Sequence, residues 1–586
     1  TARDELFRLQ NIFADSTGQG VGASLNDFFA GLQDVSTSPG ELPARSVLLA
    51  NASRLATSLN QAASDLATAK QSLNFQVTQT ITEINSLSEQ LAELNGKIIT
   101  AEITGQNAND LRDQRELALN ELAKRVDITS IETGTGGLTI FAARGQVLVE
   151  GDSHRDLAAV PAASLNGLVE VGYSTGGTRT VSIDAQITNG RLRSLLDLRD
   201  TTVQNLQDNF DRIAATLSNA VNIIHRQGYG LDGSTGRDFF SPPSVTITAD
   251  ANNQGSAAIG TGAITANSLL TFHDYEIRFS SATAYSIVDT TTGATVRGNY
   301  TGTAISAPST ASPFSVITGT NDTLTVSVDG VASGTITLAG AASPGQSYTS
   351  GAALAQEIQN KINADSALQA AGVTASVTFD TTTSRFVITS NGTSASSAVN
   401  VTGGTARTTL GLLSGTGTAA SGTYSTPTTF IFDGQSVTLS GTPASSDVFR
   451  VNSYRDAAAN MSVALTDPAS VAASSSRTGL PGNNDSILQL VALQHTDFSS
   501  LNNGTLTDAY RSAAANLGVS AQTADRDLTA QEVLSDQIQT FRAQVSSVSI
   551  DEELINLVKF QRAFEAASRL VQTTNEMYDT LLSLKR

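Results

Sequence analysis

Leu48-Leu-Ala-Asn-Ala-Ser-Arg-Leu-Ala-Thr-Ser-Leu59 opens the stretch whose spacing decides the fold. Apolar side chains recur at Leu48, Ala52, Leu55, Leu59, Ala62, Leu66, Ala69 and Leu73, in alternating steps of four and three. That alternation is the a/d seam of a coiled coil. Two successive steps of four, at Val77 and Ile81, shift the phase as a stutter does. The seam then resumes through Ile84, Leu87, Leu91, Leu94 and Ile98. Pro43, favourable in a first helical turn, marks the start. At the α-helical rise, positions 48–98 predict a rod roughly 75 Å long, more than one globular domain commonly needs.

Working outward, Gly105 and Gln106–Asn109 predict a turn, and Asp110–Val126 a shorter returning helix. Residues 127–188 alternate, as in Gln146-Val-Leu-Val-Glu150, and read as a small β unit. A helix is expected over Arg191–His225. Near the other end, Ser486–Ser499 and Asp508–Ser546 read as helical, the latter with a possible break at Gly518, and Asp551–Leu584 forms a last helix. Between these ends the composition changes. Residues 245–445 hold 15 charged residues in 201, and alternating runs such as Thr323-Leu-Thr-Val-Ser-Val-Asp-Gly330 predict half-buried strands joined by Gly-containing turns. The fold class is therefore multidomain α + β. An elongated, coiled-coil-like helical domain is formed by both chain ends, with β-rich domains inserted. The expected boundaries are 1–130 and 189–244 for the first parts of the helical domain, and 131–188 for the small β unit. The β insertion is expected at 245–455, the last part of the rod at 456–545, and a terminal helix at 546–586.

The chain has 586 residues with 35 basic and 54 acidic side chains, a net charge of −19. That balance argues against nucleic-acid and anionic-membrane partners, whose charge this surface would repel. Only 15% of residues are charged, against about 25% in ordinary soluble domains. The absence of Cys excludes disulfides, thiolate metal sites and Cys nucleophiles. No apolar run approaches the ~18 residues of a membrane span. Thr1 is not an initiator Met, so the authentic N-terminus is expected upstream.

Catalytic and binding motifs are not indicated. His154, His225, His273 and His495 lie in four separate segments, with none of the spacings that hold a metal. Asp232-Gly-Ser-Thr-Gly-Arg-Asp238 lacks the order of a calcium loop and reads as a tight turn delivering Phe239-Phe240 to a core. The Gly-rich stretches form neither a dinucleotide fingerprint nor a phosphate loop, and there is no Gly-x-Ser-x-Gly elbow. The acidic run Asp551-Glu-Glu553 suits the positive end of a helix dipole. No catalytic residue, cofactor site or metal site is expected.

Three stretches carry a resemblance. The first is Leu25-Asn-Asp-Phe-Phe29-Ala-Gly-Leu-Gln33 with Pro43-Ala-Arg45 and the rod. The second is Asp110-Leu-Arg-Asp-Gln-Arg115, followed by the β unit, the 191–225 helix and the loop Gly228-Tyr-Gly-Leu-Asp-Gly-Ser-Thr-Gly-Arg-Asp-Phe-Phe240. The third is Val548-Ser-Ile-Asp-Glu-Glu-Leu-Ile-Asn-Leu-Val-Lys-Phe-Gln-Arg-Ala-Phe564. Together they resemble the bacterial flagellar axial proteins and, among them, the hook–filament junction family of hook-associated protein 1. Within the insertion, Asn321–Gly330, Tyr348–Asn363 and Arg385–Ser390 resemble the hook IN module, placed at about 314–413. Flagellins and filament-cap proteins share that module. The family begins with a further helix, Asn-rich at its end, that nothing here matches, so the resemblance implies a missing N-terminal segment.

The resemblance implies a structural adaptor, exported unfolded through the flagellar secretion apparatus and located outside the cell in the flagellum. Implied partners are further copies in a ring, the hook protein, the second junction protein or flagellin, and an export chaperone. The long apolar seams are expected to be buried between aligned subunits, while the β insertion projects outward. The expected assembly interface is the terminal helix, through Ile550, Leu554, Leu557, Phe564, Val571, Met577 and Leu581. Alternatives are a flagellin or filament-cap type axial protein, or a secreted β-rich adhesin or carbohydrate-binding protein whose active part is the middle.

Overall fold

The computed structural model describes residues 2–13, 20–104, 108–134, 136–162, 167–174, 180–265, 267, 270–295, 314–338, 346–348, 350–380, 385–390, 399–406, 421–424, 426–546 and 550–584. The chain divides into two compact units, Thr1–Gly518 and Val519–Arg586. The helices are α1 (Ala2–Gln10), α2 (Val21–Thr37), α3 (Leu42–Ile103), α4 (Asn109–Arg125), α5 (Gly190–Asp197), α6 (Gln204–His225), α7 (Gly351–Asn363), α8 (Ser366–Ala370), α9 (Ala457–Asn460), α10 (Asp485–Ala492), α11 (Leu506–Ser546) and α12 (Ile550–Ser583).

The predicted rod is one helix of 62 residues with Pro43 in its first turn, close to 93 Å at the α-helical rise. Its seam is buried at Leu48, Leu55, Leu66, Leu73, Val77, Ile84, Leu91 and Ile98. The expectation that neighbouring subunits cover this seam is corrected: α2, α4, α5, α6, α9 and the small β unit of the same chain pack on α3. The rod is therefore the spine of its own domain. The phase of the seam also needs revision after the stutter. Leu87 is only half-buried, whereas Ser88 and Asn95 are fully buried.

Buried amides need partners, and for the asparagines of α3 the β unit provides them. Asn95 donates to the carbonyls of Leu138 (2.8 Å) and Gly151 (2.9 Å) and accepts from the Leu138 N–H (3.2 Å) and Arg115 (3.0 Å). Asn85 brackets Leu157 in the same way, accepting its N–H at 2.9 Å and donating to its carbonyl at 2.8 Å. Asn74 accepts the Val169 N–H at 2.9 Å. Three asparagines at steps of ten or eleven thus satisfy backbone groups of the β unit that would otherwise be left unpaired.

The β unit is an antiparallel four-stranded meander, 128–132, 138–142, 146–150 and 153–154, followed by a three-stranded sheet, 157–161, 169–174 and 180–182. The 191–225 helix is α5 and α6 joined through a π-helical turn, Leu198–Val203. Gly190 starts α5 at φ +88°, where a Cβ would lie 2.7 Å from the Arg125 carbonyl, so the close approach of α5 to the end of α4 requires glycine. Of the expected turn near Gly105, residues 105–107 lie outside the described residues, and Asn109 already belongs to α4. The helix expected over 486–499 is shorter: α10 ends at Ala492 and a 3-10 turn, Leu493–His495, follows. No break occurs at Gly518, because α11 runs through it.

The insertion holds two separate cores. In one, strands 421–423, 284–289, 275–279, 448–452 and 246–249 form a five-stranded sheet in that order. A second sheet, 428–432, 435–440 and 258–264, shares the core of Tyr275, Ile277, Phe430, Val437 and Phe449. The other core is the strand–helix–strand segment. Leu324, Val326 and Val328 point inward on alternate positions of strand 323–328, and Leu354, Ile358 and Ile362 of α7 are buried in the same cluster. Gly351 opens α7 because a Cβ there would meet the Phe379 ring at 2.1 Å.

Strand 448–452 lies inside the five-stranded sheet, and buried Asp447 accepts the N–H groups of Gln254 (2.7 Å) and Ala444 (2.8 Å). An excised fragment 245–455 is therefore expected to melt cooperatively with β-rich circular dichroism. A fragment ending at 445 lacks Phe449 and Val451 and is expected to lose the transition of the outer core, a loss of at least ~5 kcal/mol against a marginal total. Equal melting of both fragments would contradict this assignment.

Candidate assembly interface

Two features stand out: the buried aromatic knot that fixes the helical domain, and the exposed apolar surface of the second unit. The knot joins residues far apart in sequence. Phe28 and Phe29 of α2 meet Phe239 and Phe240, with ring centroids 5.4 Å apart for Phe28–Phe29, 5.9 Å for Phe28–Phe239 and 5.6 Å for Phe28–Phe240. All four rings are buried. Asn222, fully buried on α6, accepts the N–H groups of Phe239 (2.8 Å) and Phe240 (3.0 Å) and donates to the Phe240 carbonyl (2.8 Å). The turn before them is shaped by Asp232, which accepts the Ser234 N–H at 2.9 Å. The loop therefore delivers the aromatic pair to a core, as its residues suggest.

His225 and Arg45 close this knot. His225 Nε2 accepts the Ala472 N–H at 2.9 Å and its Nδ1 lies 2.8 Å from the Arg237 carbonyl, so the ring is neutral with the proton on Nδ1. Burial pushes its pKa down. Arg45 is fully buried and donates to the carbonyls of Pro39 and Val471; burial lowers its pKa to about 10. Both are bound to backbone, which marks them as structural. His154 and Asp156 approach at 3.7 Å, and His273 lies 2.8 Å from Asp289 in a different part of the chain. Among the described residues no group of three His, Asp or Glu could hold a metal ion. Nor, among them, is any helix long and apolar enough to cross a membrane.

The terminal helix presents the opposite character. Leu554, Leu557, Phe564, Val571, Met577 and Leu581 are all exposed, from 52% at Leu554 to 74% at Phe564. Ile550 is the first residue of α12, and its side chain lies outside the described residues. Ile555, Val558, Phe560, Leu570, Tyr578 and Leu582 are exposed as well. Sequence reasoning followed one stripe and missed most of these; the strict seven-residue step from Phe564 to Val571 to Tyr578 was the signal for a second. Projected at helical spacing, Phe564, Val571, Tyr578 and Leu582 form one line, and Leu570, Met577, Leu581 and Leu584 another, about a third of a turn away. From Arg562 onward, Arg562, Glu565, Arg569 and Glu576 occupy the remaining side. The apolar arc is wider than a two-stranded seam, the pattern of a helix that contacts more than one neighbour. In α11, Val533, Ile538 and Phe541 are likewise exposed.

Residues 6–240 match the family described as the flagellar hook-associated protein FlgK helical domain, and residues 543–584 match the flagellar basal body rod FlgEFG protein C-terminal family. The chain is 23% identical to flagellar hook-associated protein 1 of Escherichia coli K12, over all of this chain and 84% of that protein. It is 28% identical to the protein of the same name from Salmonella typhimurium, over 48% of this chain and 51% of that one. Among solved structures, the flagellar hook junction protein FlgK of Burkholderia pseudomallei shares the fold, with a TM-score of 0.55 and 21% identity over 94% of this chain and 98% of that one.

Proposed function

Because the chain belongs to the FlgK family and is a structural component of the bacterial flagellum, we propose that it is an adaptor subunit, one of a ring of copies joining hook to filament. The observation that carries this reading is the exposed apolar arc of α12, which a chain working alone would leave in water. Burying Leu554, Leu557, Phe564, Val571, Met577 and Leu581 would contribute on the order of 10 kcal/mol before the costs of association. The axial neighbours supply the covering helices, and within its own unit the knot of Phe28, Phe29, Phe239 and Phe240 packs the helical domain. In this reading the chain works by packing, without catalysis. It reaches the flagellum outside the cell by unfolded export, with a chaperone shielding α12 until assembly. Its neighbours are the hook protein on one side and a second junction protein or flagellin on the other.

Immunogold labelling of intact flagella with antibody to this chain is expected to give one band at the hook–filament boundary. A variant lacking residues 245–455 should keep that band. Label along the whole filament, or at the filament tip alone, would overturn the adaptor reading.

A further inference from the structure

Between the helical domain and the root of the β insertion lies a cleft of about 720 Å³ lined by Lys70, Asp200, Gln204, Gln207, Phe210 and Arg455, among others. On its wall the amine of Lys70 meets the carboxamide of Gln204, and the carboxyl group of Asp208 contacts that carboxamide in turn. The Lys70 ammonium of α3 donates to Gln204 Oε1, in a very close contact, and to Gln207 Oε1 at 3.2 Å. Gln204 Nε2 donates to Asp208 Oδ1 at 2.8 Å, one turn further along α6. We propose that Lys70 and Gln204 become joined by an intramolecular isopeptide bond, with Asp208 moving the proton.

Four observations carry the proposal. Lys70 sits in a half-buried site, and its hydrogen bonds go to neutral carboxamide oxygens, an unusual setting for an ammonium group. Desolvation by burial lowers the pKa of Lys70 and raises that of Asp208, moving both toward the neutral forms that aminolysis requires. Gln204 follows directly on the π-helical turn Leu198–Val203, and such turns recur at functional sites. Gln207 also meets Lys70, but its Nε2 has no carboxyl partner among the described residues, so Asp208 selects Gln204 as the reacting amide.

The neutral Lys70 amine attacks Cδ of Gln204, forming the Nζ–Cδ bond. The Cδ–Nε2 bond breaks, and Nε2 leaves as ammonia after accepting a proton from Asp208. Asp208 recovers a proton from the attacking amine, so it ends as it began, and nothing is oxidised or reduced. The bond would close a loop between residues 134 apart in a chain with no Cys. It would constrain the unfolded chain as a long-loop disulfide does.

Intact mass spectrometry on the folded full chain tests this. The wild type is expected to be lighter than its sequence mass by about 17 Da, the loss of one ammonia. Tryptic digestion should leave the chain uncut after Lys70 and yield a branched peptide joining the segments of Lys70 and Gln204. Lys70→Arg and Asp208→Asn should show their full sequence masses with unchanged circular dichroism. A folded wild type at full sequence mass overturns the proposal, as does a loss of that size that persists in Lys70→Arg. A cross-link surviving in Asp208→Asn removes Asp208 from the step and overturns the mechanism.

Discussion

Phe564→Asp is expected to abolish incorporation of the chain at the hook tip while leaving the melting of residues 1–518 unchanged. Phe564 is 74% exposed on α12, so the unassembled chain loses no packing when the ring is removed, and an added carboxylate stays in water. In the proposed assembly the same position lies within the apolar arc against neighbouring helices. There the substitution exchanges about 2 kcal/mol of ring burial for an unpaired charge whose desolvation costs several kcal/mol more. Because every copy in a ring carries the change, the cost is repeated at each contact. Cells producing the variant should be non-motile, with hooks that lack filaments in electron micrographs. Phe564→Leu should restore assembly, since it keeps an apolar side chain of useful size. Calorimetry of the purified variant gives the decisive control. A fall of many degrees in its melting temperature would place Phe564 in the core of the unassembled chain and remove α12 as the assembly surface.

Phe28→Ala should lower the stability of the helical domain by about 3–5 kcal/mol, the range for truncating a fully buried aromatic side chain. Phe28 has no exposure and touches Phe29, Phe239 and Phe240. Its removal opens a cavity where α2, α6 and the 228–240 loop meet, and the close packing of that site limits how far it can collapse. Urea unfolding should show the midpoint falling with little change in slope. Phe240→Ala should act similarly, and the double variant should cost less than the sum, because both rings line one cavity. Strict additivity would show that Phe28 and Phe240 stabilise the fold independently.

Much of this architecture is legible in the residues. Steps of four and three from Leu48 to Ile98 predict one long helix, since apolar spacing is a local property that backbone geometry converts directly into a face. Alternation in Thr323–Val328 gives a half-buried strand for the same reason, and the spacing of Leu354, Ile358 and Ile362 places them on one side of α7. The terminal helix is equally plain as an apolar-faced helix, though its second apolar line is found only when Tyr578 and Leu582 are counted with Phe564 and Val571.

What covers each face is another matter, because a partner is non-local. The seam of α3 looked long enough to need neighbouring subunits, yet α2, α4, α6 and the β unit close over it, while the stripe of α12 remains bare. No period distinguishes the two. Nor could spacing assign Ser88 and Asn95 to the buried line ahead of Leu87. An amide enters a core only when donors and acceptors wait there, and for Asn74, Asn85 and Asn95 these are backbone groups at Val169, Leu157 and Leu138, 43 to 95 residues further along the chain. The line of Lys70, Gln204 and Asp208 has the same origin: α3 must pack beside α6 before the amine and the amide can meet. The sequence determined the elements and their faces. Only the tertiary structure decided which faces the chain satisfies by itself and which it leaves exposed, since burial of a side chain is a property of the pair and not of the residue.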